Sequence, residues 1–308
     1  MTKASAPGKI ILFGEHAVVY GRPALAVPVT QVQVDVEVSD GSRPGIWIDA
    51  PDINVHAELN TLPSDHPLAA AIHNFLFLSG VSPFPSLDIK ISSTIPVASG
   101  LGSGAAVTVA LVRALASHLH HSMTDEEVNA FTYEIENLHH GTPSGIDNTV
   151  VTYAEPVYFI KEQSIETFRA SQLFTIVIGD TGFPASTKES VEDVRRLWMT
   201  DKPRWETVFD KIGEISLAAR RAIEAGKDEL LGELMNQNHA LLQELTVSSK
   251  ELDRLVEAAR DAGAMGAKLS GGGRGGNMIA LVEPDNIEPV ARSLKDAGAR
   301  NTLVTQVS

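Results

Sequence analysis

The sequence predicts an α+β protein, and three observations carry that class. The first third alternates apolar and polar residues at the period of a strand, and a later stretch, from about 186 to 262, carries the i, i+3, i+4 apolar spacing of helices. The C-terminal end then returns to a strand–loop–helix–strand order. Strands and helices are thus mixed rather than strictly alternating, which disfavours a doubly wound parallel sheet.

The elements follow in order. Strands are expected at 9–14 (KIILFG), 23–29 (PALAVPV) and 30–40 (TQVQVDVEVSD), where Val32, Val34, Val36 and Val38 share one face. Two more are expected at 45–50 (GIWIDA) and 86–95 (SLDIKISSTI), with a helix between them at 65–80. A long apolar helix is expected over 105–121. Another runs from Thr124, whose spacing to Glu127 is that of a capping box, to about His140 before Gly141. A strand at 173–180 precedes helices at 186–199, 204–225, 227–245 and 248–262. Strand character returns at 267–282, followed by a helix near 286–297 and a last strand at 300–308. At 308 residues the chain suggests roughly two domains, and the polar stretch around 165–172 marks a boundary that divides it into 1–168 and 169–308.

Composition removes several classes of function. With 25 Lys+Arg against 39 Asp+Glu the formal charge is −14, which weighs against nucleic acid or an anionic membrane as partner. The chain has no cysteine, so disulfides, thiolate zinc sites and cysteine nucleophiles are excluded. No apolar run reaches the ~18 residues of a membrane span, and residues 1–16 do not read as a signal peptide. A soluble cytoplasmic protein is the expectation.

The stretch 99–106, SGLGSGAA, enters the long apolar helix. Glycine-rich turns that feed helices are suited to phosphates, because free N–H groups and the positive end of the dipole converge there. The stretch is no GxxxxGK[ST] loop. It matches the loosened dinucleotide fingerprint at Gly100, Gly102 and Ala105, but the chain passes from this helix straight into another instead of a second strand ending in an acidic residue. The Glu136-x-x-His139 spacing is half of a di-iron motif, and no second Glu-x-x-His accompanies it.

Three separated segments together resemble the GHMP kinase family: 6–29 (APGKIILFGEHAVVYGRPALAVPV), 96–115 (PVASGLGSGAAVTVALVRAL) and 266–282 (GAKLSGGGRGGNMIALV). A fourth, 141–159 (GTPSGIDNTVVTYAEPVYF), sharpens the match to the branch of the family that phosphorylates mevalonate. The resemblance implies an N-terminal ribosomal-protein-S5-like α/β domain, a C-terminal ferredoxin-like α+β domain and an active site in the cleft between them. It implies ATP and Mg2+ as cofactors, transfer to the 5-hydroxyl of mevalonate, and a homodimer. Phosphomevalonate or a sugar as acceptor, and an inactive ligand-binding member, are the alternatives.

The resemblance also distributes roles. Asp147 would take the acceptor's proton with Lys9 beside it. The nucleotide would lie on Pro96, Ser99, Gly100, Leu101, Gly102, Ser103, Gly104 and Ala105, with Gly272, Gly273 and Arg274 from the later loop. Glu136 would hold Mg2+, with Ser103, and Glu15, His16, Ser144, Asp147 and Thr187 would meet the substrate. Two positions depart from the family text. Gly104 stands where a serine usually gives Mg2+ a hydroxyl, and Arg274 stands where a small residue is usual. Arg274 is expected to approach the phosphates and offset the missing ligand.

Overall fold

The computed structural model describes residues 1–96, 100–140, 143–184 and 186–308, without the side chains of His139 and His140. The chain divides into two compact units, each discontinuous in sequence. One comprises Met1–Gly8, Val32–Val97 and Gly102–Ala154; the other comprises Lys9–Gln31, Ala98–Leu101 and Glu155–Ser308.

Two long strands, β1 (Thr2–Phe13) and β2 (Ala24–Asp40), thread through both segments of this division. The expected strands 23–29 and 30–40 are one strand of 17 residues. Pro28 tolerates this because its fixed φ is compatible with extended backbone. In the first unit the end of β2 pairs with β5 (below), and Val34, Val36 and Val38 are fully buried, the period-two face the sequence presents. The strands β3 (Ile46–Ala50) and β4 (Val55–Glu58) follow, then α1 (Pro67–Ser79), which starts on a proline at its first turn. β5 (Leu87–Ser93) completes the order β4-β3-β5-β2, with β3 and β5 parallel and the rest antiparallel.

Three helices complete this unit: α2 (Ser103–His118), α3 (Asp125–His140) and α4 (Ile146–Tyr153). The capping box of α3 is formed as expected: Thr124 N–H donates to Glu127 Oε2 at 2.8 Å and Glu127 N–H to Thr124 Oγ1 at 3.3 Å. α2 begins two residues before the expected start, which turns Ser103 and Gly104 from loop into its first turn. The helix α4 has no counterpart in the sequence reading. Its β-branched run, TVVT, favours strands, but here burial of Thr149, Val150 and Val151 overrides local preference. Asn148 ties it to α3 by donating to Asn129 Oδ1 at 2.6 Å.

In the second unit the start of β2 pairs with β6 (Val157–Phe159), which pairs with β7 (Glu166–Thr167). The rest is β8 (Phe174–Asp180), α5 (Thr187–Thr200), α6 (Lys202–Ala225), α7 (Asp228–Glu244), α8 (Lys250–Asp261), β9 (Gly266–Ser270), β10 (Asn277–Val282), α9 (Ile287–Asp296) and β11 (Asn301–Val307). The four strands β8 to β11 make an antiparallel sheet in the order β11-β8-β10-β9. Its apolar face meets Phe209, Ile212, Leu242, Leu252 and Leu294 from the helices, a core that contains Val177, Leu269 and Ala280 of the strands. The four helices between β8 and β9 lie within a few residues of their expected bounds. None of the described helices is long and apolar enough to cross a membrane.

Candidate active site

In the first unit the candidate groups gather at the N-terminus of α2. Gly102 caps it with φ 74°, and Gly100 has φ 79°, both in the left-handed region where a glycine carries no steric cost. The first i to i−4 bond of the helix runs from Ala106 N–H to the Gly102 carbonyl at 3.0 Å. The N–H groups of Ser103, Gly104 and Ala105 stand ahead of that bond, outside the helical ladder, at the positive end of a 16-residue helix. Such an array holds a phosphate group.

Gly104 faces a carboxylate. A Cβ placed there would stand 2.9 Å from Oε1 and 3.9 Å from Cδ of Glu136, which is half-buried on α3. The absent side chain therefore leaves room for Glu136 beside the helix N-terminus. One carboxylate, with the Ser103 hydroxyl in the same turn, is a hard-oxygen donor set of the kind Mg2+ accepts, since that ion fills its shell with water and phosphate oxygens. Among the described residues no group of three or more His, Asp or Glu gathers into an all-protein metal cage.

Asp147 lies in the first turn of α4, half-buried, after Gly145 at φ 91°. Ser144, also half-buried, accepts from the Ile146 N–H at 3.4 Å. Pro96 is half-buried, while Ser99 falls outside the described residues.

In the second unit, taken by itself, the candidate groups lie on β1, the 271–276 loop and the start of α5. Lys9 is buried on β1, and its N–H donates to the Leu101 carbonyl at 2.9 Å, which ties Leu101 to the strand. The loop 271–276 follows β9. Gly273, at φ 74°, brings its backbone against Val247, where a Cβ would stand 2.0 Å from the carbonyl oxygen. Gly100 lies near the next strand's start, with the position of a Cβ 4.0 Å from Asn277 Nδ2. Gly272 rests on Thr187, the exposed first residue of α5, at 2.9 Å from Oγ1 by the same measure.

Three expectations meet different surroundings. His16 is buried and donates from Nε2 to the Gly272 carbonyl at 3.1 Å, and burial pulls its pKa from 6.5 down to about 4. It is a neutral imidazole that shapes the glycine loop, and supplies no positive charge to a carboxylate. Glu15 is buried and accepts from Lys268 Nζ through Oε1, while Lys268 also donates to the Leu269 carbonyl at 2.7 Å. Burial draws both members of this pair toward their neutral forms, and their mutual attraction opposes it. Glu15, two residues after β1, thus joins that part of the chain to β9 through Oε1, while its buried Oε2 has no hydrogen-bond partner among the described residues. Arg274, at φ 59°, donates from Nη1 to Asp193 Oδ2 of α5 and from Nε to the Thr246 carbonyl at 3.4 Å. Nη1 and Nε thus hold the side chain against α5 and the Thr246 carbonyl.

Sequence reasoning missed Lys268 and Asp193. Lys268 sits in a strand whose five residues are all buried, so the one charged side chain in an otherwise apolar run was the available signal. Asp193 lies on an ordinary amphipathic helix with nothing in its neighbours to distinguish it.

Residues 68–155 match the family model for the GHMP kinases N terminal domain, and 219–300 that for the GHMP kinases C terminal domain. The mevalonate kinase of Pyrococcus abyssi is 38% identical, over 99% of this chain and 95% of its own length. The fold is similar to the crystal structure of L. major mevalonate kinase in complex with R-mevalonate, with TM-score 0.87, 31% identity, and coverage of 100% of this chain and 96% of that one. It is also similar to the Methanococcus jannaschii mevalonate kinase, with TM-score 0.84, 25% identity, and coverage of 99% of this chain and 96% of that one.

Proposed function

The chain belongs to the GHMP kinase family, and from that premise we infer that it is an ATP-dependent mevalonate kinase. The reaction is transfer of the γ-phosphoryl group of ATP to the 5-hydroxyl of mevalonate, giving 5-phosphomevalonate, a step of isoprenoid biosynthesis. The observation that carries this reading is the open first turn of α2 with the Glu136 carboxylate facing Gly104. It combines a phosphate cradle with a metal-binding oxygen. Relatives 34–38% identical over nearly the whole chain, all mevalonate kinases, select the acceptor.

The N–H groups of Ser103, Gly104 and Ala105 donate to the phosphate oxygens of ATP, and the Gly100–Gly102 backbone lets the nucleotide approach closely. Glu136, helped by the Ser103 hydroxyl, would hold Mg2+, which supplies neutralisation of charge across the β- and γ-phosphates. Asp147 accepts the proton of the 5-hydroxyl as that oxygen forms its bond to the γ-phosphorus. The bond from the γ-phosphorus to the β,γ-bridging oxygen breaks, and ADP leaves. Lys9 compensates the negative charge of this step, and Ser144 and Thr187 contribute hydroxyl contacts to mevalonate. Positioning and charge compensation account for most of what a phosphoryl-transfer protein must supply. We also place the protein in the cytoplasm as a homodimer, with 1–168 as its nucleotide-binding half and 169–308 as its C-terminal half.

The test is ADP release with ATP and Mg2+ across mevalonate, phosphomevalonate, galactose and homoserine. Turnover is expected with mevalonate, and its absence under every condition removes the reading. Asp147→Asn should depress kcat by a factor of about 10² or more with little change in KM. A kcat near that of the unaltered enzyme takes the base role away from Asp147.

A further inference from the structure

Arg274 occupies a backbone conformation that side chains rarely adopt, in a loop otherwise made of glycine. Its φ is 59°, between Gly273 and Gly275. A residue kept at such a place normally has contacts that hold it there. Here there are three. The Arg274 N–H donates to the Val247 carbonyl at 2.7 Å, Nε donates to the Thr246 carbonyl, and Nη1 pairs with Asp193.

Asp193 stands on α5, six residues after Thr187 and therefore less than two turns along the same helix. Arg196 approaches Asp193 as well, and together the two guanidinium groups hold its carboxyl below the usual carboxylate range. The helix and the loop thus touch at two points. Gly272 rests on Thr187 at the first turn, and Arg274 grips Asp193 further along. Two contacts on one rigid rod fix both its position and its rotation, where a single contact fixes only its position.

We propose that Arg274 is a positioning residue that, through Asp193, registers the first turn of α5 on the 271–276 loop and so places the Thr187 hydroxyl for the acceptor substrate. This deepens the reading of the site as a mevalonate-binding one and rests on it. It assigns Arg274 to the acceptor side of the reaction, where the phosphate expectation assigned it to ATP. Lysine at 274 keeps the charge but loses the planar fork that reaches a carboxylate and a carbonyl together, so it restores part of the function only.

The experiment is a cycle of Arg274→Ala, Asp193→Asn and the double variant, with Arg274→Lys alongside. KM is measured separately for mevalonate and ATP, and Tm for each variant. Each single change should raise KM for mevalonate roughly two- to five-fold, the range of a part-exposed ion pair, and leave KM for ATP within about a factor of two. The double variant should be no worse than the poorer single, and Arg274→Lys should lie between Ala and the native residue. A rise in KM for ATP alone overturns the proposal, as does full additivity of the two singles. Coupling in Tm without any change in KM for mevalonate also overturns it, leaving a purely structural ion pair. The underlying reading fails separately, if the unaltered enzyme does not turn over mevalonate or if Thr187→Ala leaves its KM unchanged.

Discussion

Replacing Gly104 separates space from chemistry at the metal-binding oxygen. A methyl group there would stand 2.9 Å from Glu136 Oε1, inside the contact range, so the carboxylate must move by a few tenths of an ångström. The displaced atom is the far end of a flexible side chain, and forcing it off its preferred rotamer costs about 0.5–1.5 kcal/mol. If Glu136 holds Mg2+, Gly104→Ala should raise the half-saturating Mg2+ concentration about two- to ten-fold. The backbone works in the opposite direction, because alanine is favoured over glycine within a helix by roughly 0.8–1 kcal/mol. Tm should therefore hold or rise while metal affinity falls. Gly104→Ser imposes the same displacement but adds a hydroxyl oxygen in the first turn of α2, and its Mg2+ requirement should return to or below that of the native enzyme. The assay is ADP release against Mg2+ at fixed ATP, paired with thermal melts. An Mg2+ dependence of Gly104→Ala identical to that of glycine would refute the reasoning, and so would identical behaviour of alanine and serine.

Two further outcomes follow from the buried charges and imidazoles. Lys268→Met leaves the Glu15 carboxylate buried without its partner, and should cost about 3–5 kcal/mol in urea unfolding. Changing both residues, as Glu15→Leu with Lys268→Met, should recover most of that loss, and failure to recover it would show that the pair does more than balance its own charges. His16 and His239, the latter buried on α7, are each pulled by burial to about 4 from 6.5, so each takes up a proton on unfolding between those values. Their contribution to stability is complete above pH 6.5 and declines as the pH falls toward about 4. Each histidine contributes a slope of about 1.4 kcal/mol per pH unit there. Denaturant titrations at pH 7, 6 and 5 test this, and flat stability across that range contradicts it.

What was legible in the chain was local. The valines of β2 at period two, the capping box at Thr124 and Glu127, the apolar spacing of α5 to α8 and the glycines that bend into α2 all express preferences settled within a few residues. The family resemblance rested on such segments, and two of them carry Lys9 and Asp147, while Glu136 lies outside them on α3. What remained hidden depended on distant partners. α4 is a helix because its β-branched residues are buried by neighbours, against their own preference. Gly104 reads from the sequence as a lost metal ligand, whereas in the fold Glu136 Oε1 stands where its side chain would reach. Lys268 meets Glu15 across 253 residues of sequence, and Arg274 meets Asp193 across 81. By itself the sequence determined the elements and the identities of the chemical groups, because hydrogen-bonding ladders and apolar periods are short-range. Only the tertiary structure decided which charge each group would face, because charge pairing and desolvation depend on the atoms brought near in space and not on those adjacent in the chain.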